Sequence, residues 1–249
     1  MSSEKTSAIV LRVIEFSETS SVVRLFTRDF GKIDALAKGA RRPKGPFESA
    51  LDLLAFCRVV FLRKSSDALH LLTEARLQRR FRFRDLPSLY AGYYVAELLN
   101  ELTDEEDPHP ELFDAADATL VALTGECSVA ALVLRFELTA LRIVGHLPSF
   151  DSCVECGKSV EAVGQMHVGL LSGGVLCAQC RPGKKQVVEL PAGSLRTLAQ
   201  FADPTRSAWQ RLELDPRTAG AVRGMMSRYI ANLLGRPARM HSYLRNLPT

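Results

Sequence analysis

Over the first third of the chain, apolar and polar positions follow a period of two. Ser7 to Ile14 is β-branched and apolar. Ser20 to Arg28 alternates, with Val23, Leu25 and Thr27 on one face and Val22, Arg24, Phe26 and Arg28 on the other. Gly31 to Lys38 alternates again after an Asp29-Phe30-Gly31 turn, and Ala55 to Leu62 and Ala68 to Thr73 complete five strands. Ser65-Ser66-Asp67 reads as the turn of a final hairpin, and a long loop spans Gly39 to Leu53. Five short strands, interrupted once, predict a small antiparallel barrel. An OB-fold and an SH3-like barrel both give this pattern.

After residue 86 the period lengthens to that of a helix. Pro87-Ser88 predicts a helix start, followed by Leu89, Tyr90, Tyr93, Tyr94 and Leu98. A second helix is expected from Glu111 to Leu123. A third, Ser128 to Val144, is apolar nearly all round and so predicted to be central. Pro191 to Phe201 reads as helical. From Pro216 a last helix sets Val222, Met225, Met226, Tyr229, Ile230, Leu233 and Leu234 on one face, until Gly235 and Pro237 stop it. The expected class is α+β and multidomain: a barrel over 1–80, a helical domain over 81–150 and 186–249, and a cysteine module at 151–185 inserted in it.

The chain has 249 residues, 47% hydrophobic and 24% charged, which excludes a disordered chain, a collagen and a small disulfide scaffold. Its longest nearly apolar stretch, Val129 to Val144, is broken by Arg135, Glu137 and Arg142. It falls short of the roughly 18 apolar residues of a membrane span. Met1 to Thr6 lacks a signal-peptide layout, so the protein is read as soluble and intracellular, with no membrane partner.

Four of the six cysteines form two Cys-x-x-Cys pairs, Cys153/Cys156 and Cys177/Cys180. Each two-residue gap makes a knuckle, and two knuckles can place four thiolates in a tetrahedron about 2.3 Å from one Zn2+. Gly157, Gly173-Gly174 and Pro182-Gly183 supply the turns. Four protein ligands leave no open position, so one structural, non-catalytic zinc is expected. An iron–sulfur cluster, a redox pair and disulfides are the alternatives. Lys158, Arg181, Lys184 and Lys185 are near enough in sequence to offset the thiolate charge. Cys57 and Cys127 are read as structural, buried thiols.

Charge is uneven: residues 1–86 carry a net +7, 87–150 a net −9 and 151–249 a net +6. A basic segment beside an acidic one is a footprint of polyanion binding. Lys38, Arg41, Arg42 and Lys44 crowd one loop kept open by Gly39, Pro43 and Gly45. Arg12 and Arg24 lie on neighbouring strands, with Arg28 and Lys32, and Arg63-Lys64 sits at the last hairpin. Arg76, Arg79, Arg80, Arg82 and Arg84 interleave with Phe81 and Phe83. Such cations suit phosphates, and aromatics suit unpaired bases, although for both phenylalanines a plug between barrel and helices is the favoured reading. Binding should be salt-sensitive and weakly sequence-selective.

There is no phosphate loop or dinucleotide fingerprint, and the five histidines show no metal or triad spacing. The run Asp104-Glu105-Glu106-Asp107 is contiguous, so its side chains fan apart. No catalytic constellation emerges, and a non-enzymatic binding protein is expected. An RNA-binding OB-fold protein with a zinc ribbon, and a metal-assisted nuclease using the acidic run, are the competing classes.

The order of parts resembles one family, the bacterial recombination mediators RecO. The matching stretches are Thr6 to Leu11 with Gly31-Lys32 and the Lys38 to Arg41 loop; His146 to Cys153 with Gly173 to Cys177; and Gly235 to Ala238 before Ser242-Tyr243-Leu244. Gly45 stands where a serine is expected. The resemblance implies an N-terminal OB-fold and a helical domain bearing a four-cysteine zinc module. It implies a cytoplasmic, nucleoid-associated protein of recombinational repair that binds single- and double-stranded DNA and anneals complementary strands. It further implies work with RecR to load RecA onto DNA coated by single-stranded DNA-binding protein. The acidic, aromatic-ended tail of that coating protein wants an apolar pocket with a cationic rim. Arg223, Met225, Met226, Arg228 and Tyr229 of the last helix are the candidates, although a methionine stripe at the spacing of a buried helical face is more often plain core.

Overall fold

A computed structural model describes residues 2–42, 45, 47, 50–64, 68–205, 209 and 215–244. The expected Ser65-Ser66-Asp67 turn lies outside the described residues. The chain divides into two compact units, Met1–Glu126 and Cys127–Thr249.

The first unit opens with five strands, β1 (Ser3–Glu15), β2 (Ser21–Thr27), β3 (Gly31–Ala37), β4 (Phe56–Leu62) and β5 (His70–Arg79). They close into a barrel in the order β1-β2-β3-β5-β4. Four of the pairings are antiparallel. The closure between β3 and β5 is parallel, with Ala35 opposite His70 and Ala37 opposite Leu72. That single parallel seam, which no local pattern encodes, decides for the OB-fold. Small Ala8, Ala35 and Ala75 and larger Val10, Leu25, Ile33, Val59, Phe61 and Leu72 fill the interior. Each large one contributes roughly 1.5–3 kcal/mol of burial. Cys57 is buried among them; its thiol donates to the Ala50 carbonyl (2.8 Å), and burial pushes its pKa up to about 12.

Two helices follow, α1 (Leu86–Leu102) and α2 (Pro110–Ala122). The N-cap of α1 is Asp85, before the expected Pro87-Ser88 start. The Asp85 carboxylate accepts from the Ser88 amide (2.8 Å), and the Ser88 hydroxyl accepts from the Asp85 amide (3.1 Å). The outer face of the barrel meets α2 through Phe113, whose ring lies 6.2 Å from Phe26 and 5.8 Å from Phe56. Phe81 plugs the junction as expected, because a Cβ on Gly92 of α1 would meet its ring at 2.7 Å. Phe83 does not: it is half exposed.

Two residues fix the connector from α1 to α2. Gly31 has φ +66°, and a Cβ there would meet the Asp107 carbonyl oxygen at 2.2 Å. Lys32 is buried and donates its ammonium to the carbonyls of Asn100 and Thr103, both at 2.6 Å. These are orphan carbonyls of the α1 C-terminus, where a cation is favoured. The Gly31-Lys32 pair therefore serves the fold, not a phosphate.

The second unit contains α3 (Val129–Ile143), β6 (Gln165–Gly169), β7 (Gly174–Leu176), β8 (Val187–Pro191), α4 (Ala192–Ala202), α5 (Pro216–Leu234) and α6 (His241–Leu244). As its all-round apolar sequence predicts, ten residues of α3 are buried. One is Glu137, fully buried and 2.6 Å from Arg223 of α5. The small sheet runs β7-β6-β8. Asp215 caps α5, and Gly235, at φ +70°, ends it where the sequence indicates. The expectation for Cys127 is corrected: it is exposed, because it lies in the turn before α3 rather than against a core. Among the described residues no helix is long and apolar enough to cross a membrane.

Candidate nucleic-acid interface and metal centre

The four cysteines converge. Cys153, Cys156, Cys177 and Cys180 place all four sulfurs within 4.8 Å of one another. Cys156 Sγ and Cys177 Sγ are 3.9 Å apart, close to the edge of roughly 3.8 Å that a tetrahedron of 2.3 Å bonds requires. In the first knuckle the Gly157 amide donates to the Cys153 carbonyl (2.8 Å), and in the second the Cys180 amide donates to the Cys177 carbonyl (3.1 Å). Gly157 sits at φ +70° to close the first. The Val154 amide donates to the Val175 carbonyl (3.1 Å), which ties the first knuckle to β7. Gly174 is needed there, because a Cβ would lie 2.6 Å from the Ser149 carbonyl oxygen.

Electrostatics also suits a cation. The amides of Cys177, Cys156 and Glu155 point at Cys153 and pull its thiol down to about 6. The neighbouring sulfurs, Cys177 first, push Cys180 up to about 12. A bound cation removes that repulsion, and this donor set can hold one metal ion. Of the nearby cations, Lys184 pairs with Glu155 at 2.6 Å and holds that carboxyl below its usual range. Arg181 reaches His167. Lys158 and Lys185 are exposed.

The barrel cations sort into two sets. The first faces the acidic segment. Arg24 grips Asp34 with two bonds (2.8 and 2.5 Å), donates to Asn100 (2.9 Å) and lies 3.2 Å from Glu105. Arg63 pairs with Glu106, whose other oxygen is 3.2 Å from His70 Nε2. Arg28 pairs with Asp114 at 2.9 Å. Arg79 pairs with Asp117 and stacks over Phe56, 5.0 Å from its ring centre. Carboxylates of residues 105–117 thus meet four barrel arginines. Much of the +7 and −9 contrast is complementarity inside one unit. Glu105 and Glu106 are held by these partners, and among the described residues only the cysteines form a convergent group of three or more metal-binding side chains. Arg80 lies 3.2 Å from Asp52, and Arg84 binds Asp85 and the Gly125 carbonyl.

The second set faces solvent. Lys38, Arg41 and Arg42 are on the loop after β3, and all but half-buried Gly39 and Ala40 in that stretch are exposed. The loop is docked on the β1–β2 hairpin: the Arg41 amide donates to the Thr19 carbonyl (3.1 Å), and its guanidinium donates to the Ser17 carbonyl (3.2 Å) and lies 3.2 Å from Glu15. Arg12 on β1, Lys64 after β4 and Arg82 beyond β5 are exposed too. Lys44 lies outside the described residues. The sequence reading missed Phe16, an exposed ring at the hairpin tip; its only local signal is an aromatic inside the polar run Glu15 to Ser20.

The α5 candidates separate. Met225 and Met226 are buried in the core and Tyr229 donates to the His146 carbonyl (2.9 Å), so all three are packing residues. Arg223 and Arg228 sit on another face. They line a groove of about 520 Å³ with Ala130, Ala231, Pro237 and Leu244. The pocket of five residues expected from the sequence is therefore not one surface, because the methionines turn inward at helical spacing.

Comparison with known proteins agrees with this geometry. The family described as recombination protein O, N terminal, matches residues 1–81, and recombination protein O, C terminal, matches residues 84–242. A relative from Rhodopirellula baltica, named DNA repair protein RecO, is 40% identical over 95% of this chain and 97% of its own. Relatives of that name from Salinibacter ruber (35%; 91% of this chain, 86% of its own) and Anaeromyxobacter dehalogenans (32%; 98% and 96%) are also similar. With both halves matched and the barrel, helices and cysteine cluster in the expected order, the chain belongs to the recombination protein O (RecO) family.

Proposed function

We propose that this protein acts in DNA repair as a non-enzymatic mediator that binds single- and double-stranded DNA and anneals complementary strands without nucleotide hydrolysis. The observation that carries the reading is the exposed Lys38, Arg41 and Arg42 loop docked on the β1–β2 hairpin. Annealing requires phosphate neutralisation on two strands, which point charges on an open loop supply. Arg12, Lys64 and Arg82 extend the basic surface, with Lys44 on the same loop. Arg24, Arg63, Arg79 and Arg84 contribute less, since carboxylates already engage them, while Arg41 and Arg80 each lie 3.2 Å from one carboxylate and contribute in part.

In this reading the four cysteines hold one structural Zn2+, and bound zinc ties the two knuckles together and adds its binding free energy to the fold. RecR is the partner for loading RecA onto DNA coated by single-stranded DNA-binding protein. The acidic tail of that coating protein enters the groove rimmed by Arg223 and Arg228. Because Arg223 also neutralises buried Glu137, Arg228→Glu is the cleaner probe. Unchanged tail affinity in that variant counts against the groove.

The deciding experiment is annealing of complementary strands, with and without coating protein, against rising salt. Wild type should anneal without ATP, and Lys38→Glu/Arg41→Glu/Arg42→Glu should not. The variant's salt slope for single strands should fall by about 2, at roughly 0.7 per lost cation. No annealing by folded, metal-loaded wild type overturns the reading. Preference for RNA over DNA of the same sequence would replace it with the RNA-binding class.

A further inference from the structure

The tip of the β1–β2 hairpin presents an aromatic ring to solvent. Phe16 is 64% exposed, and Val13 and Ile14 before it are 40% and 42% exposed. The pairing explains why. β1 pairs β4 only as far as Ile9, while Arg12 to Glu15 pair β2 alone, so the end of β1 is an edge strand with no neighbour on its other side. The tip is nonetheless ordered: the amides of Phe16 and Ser17 both donate to the Ser20 carbonyl (3.0 and 3.1 Å).

A cation is fixed beside the ring. The Arg41 guanidinium lies 3.2 Å from Glu15 and donates to the Ser17 carbonyl at 3.2 Å, so it touches the residues on both sides of Phe16. Lys38 and Arg42 are exposed on the same docked loop. An apolar protein partner would have no use for cations at this position, whereas an unpaired nucleotide has a π-face for the ring and a phosphate for the guanidinium.

We propose that Phe16 is a stacking platform for an unpaired nucleobase and that it gives the basic loop its preference for single strands over duplex. The proposal rests on the nucleic-acid reading above. Bases inside a duplex are already stacked, so a duplex offers the tip only phosphates. A single strand offers both groups, and the ring adds affinity there alone.

The test uses three fluorescent probes: a short oligothymidylate, an abasic strand of equal length, and a duplex. Phe16→Ala should weaken oligothymidylate binding by about 5- to 100-fold and leave the abasic strand and duplex nearly unchanged. Phe16→Trp should retain binding, and its emission should be quenched by oligothymidylate and not by the abasic strand. The ring lies outside the core, so both variants should melt like wild type, which circular dichroism checks. Undiminished oligothymidylate binding by Phe16→Ala, or equal loss on all three probes, overturns the platform. If in either case the Lys38→Glu/Arg41→Glu/Arg42→Glu variant still abolishes binding, the polyanion reading survives without it. Failure of wild type to bind any probe overturns both.

Discussion

Lys32 donates its ammonium to the carbonyl of Thr103 at 2.6 Å, and through that bond a strand of the barrel holds the end of the first helix. A second bond goes to Asn100. Burial, together with the charge of Arg24, pushes the ammonium below its ordinary pKa. The Thr103 carbonyl would otherwise be buried without a donor, which costs about 1–3 kcal/mol, and the half-buried Asn100 carbonyl adds less. Lys32→Met should therefore lower unfolding free energy by about 2–4 kcal/mol in urea titrations. Its affinity for single strands should stay that of wild type in the folded range.

The acidic connector should restrain the barrel's cations. Glu105 faces Arg24 and Glu106 faces Arg63. In Glu105→Gln/Glu106→Gln, Arg63 is released toward phosphates, while Arg24 loses one of two carboxylates and stays gripped by Asp34. The salt slope for single-strand binding should steepen by about 0.7 for each arginine that gains a phosphate. Affinity at low salt should rise, read by anisotropy titrations at several salt concentrations. An unchanged slope would show that these arginines remain turned away from DNA.

Acid stability should depend on the cap of α1. The Ser88 amide holds the Asp85 carboxyl below its ordinary value of 3.8, with the Ser88 hydroxyl and Arg84 assisting. A carboxyl depressed in the folded state stabilises fully above that ordinary value and loses the contribution as pH falls through its folded value. Asp114, depressed by Arg28, and Asp215, depressed by the hydroxyl and amide of Thr218, act in the same direction. Asp85→Asn keeps a good cap without the titration. Its stability should match wild type near neutrality and decline less steeply below about pH 4 in circular dichroism titrations.

The cysteine cluster should bind one metal ion per chain. Cys153→Ser should lose about one equivalent by elemental analysis, and Cys57→Ser should lose none. Chelation of wild type should lower the melting temperature, because a site assembled by folding returns its binding free energy to the fold. Full metal content in Cys153→Ser would sink the assignment.

Much of this was legible locally. Alternation at period two marks strands, and helical spacing buries Val222, Met225, Met226 and Ile230 together. Paired cysteines with glycine turns announce a four-sulfur cluster, because each two-residue gap turns two thiols toward one point. β5 runs on to Arg79, past the expected Thr73, because cross-strand pairing with Phe56 and Cys57 extends it beyond its own alternation.

The sequence by itself determined the kinds of elements, their order, the two cysteine knuckles and the existence of a basic loop, since each depends on neighbours within a few residues. The tertiary structure alone decided which cations remain free. Arg24 and Arg42 look alike in sequence, but Arg24 meets Asp34 across a β-ladder and Glu105 from beyond α1, while Arg42 stands on an exposed loop. Charge complementarity between segments tens of residues apart depends on where the chain returns, and only packing fixes that.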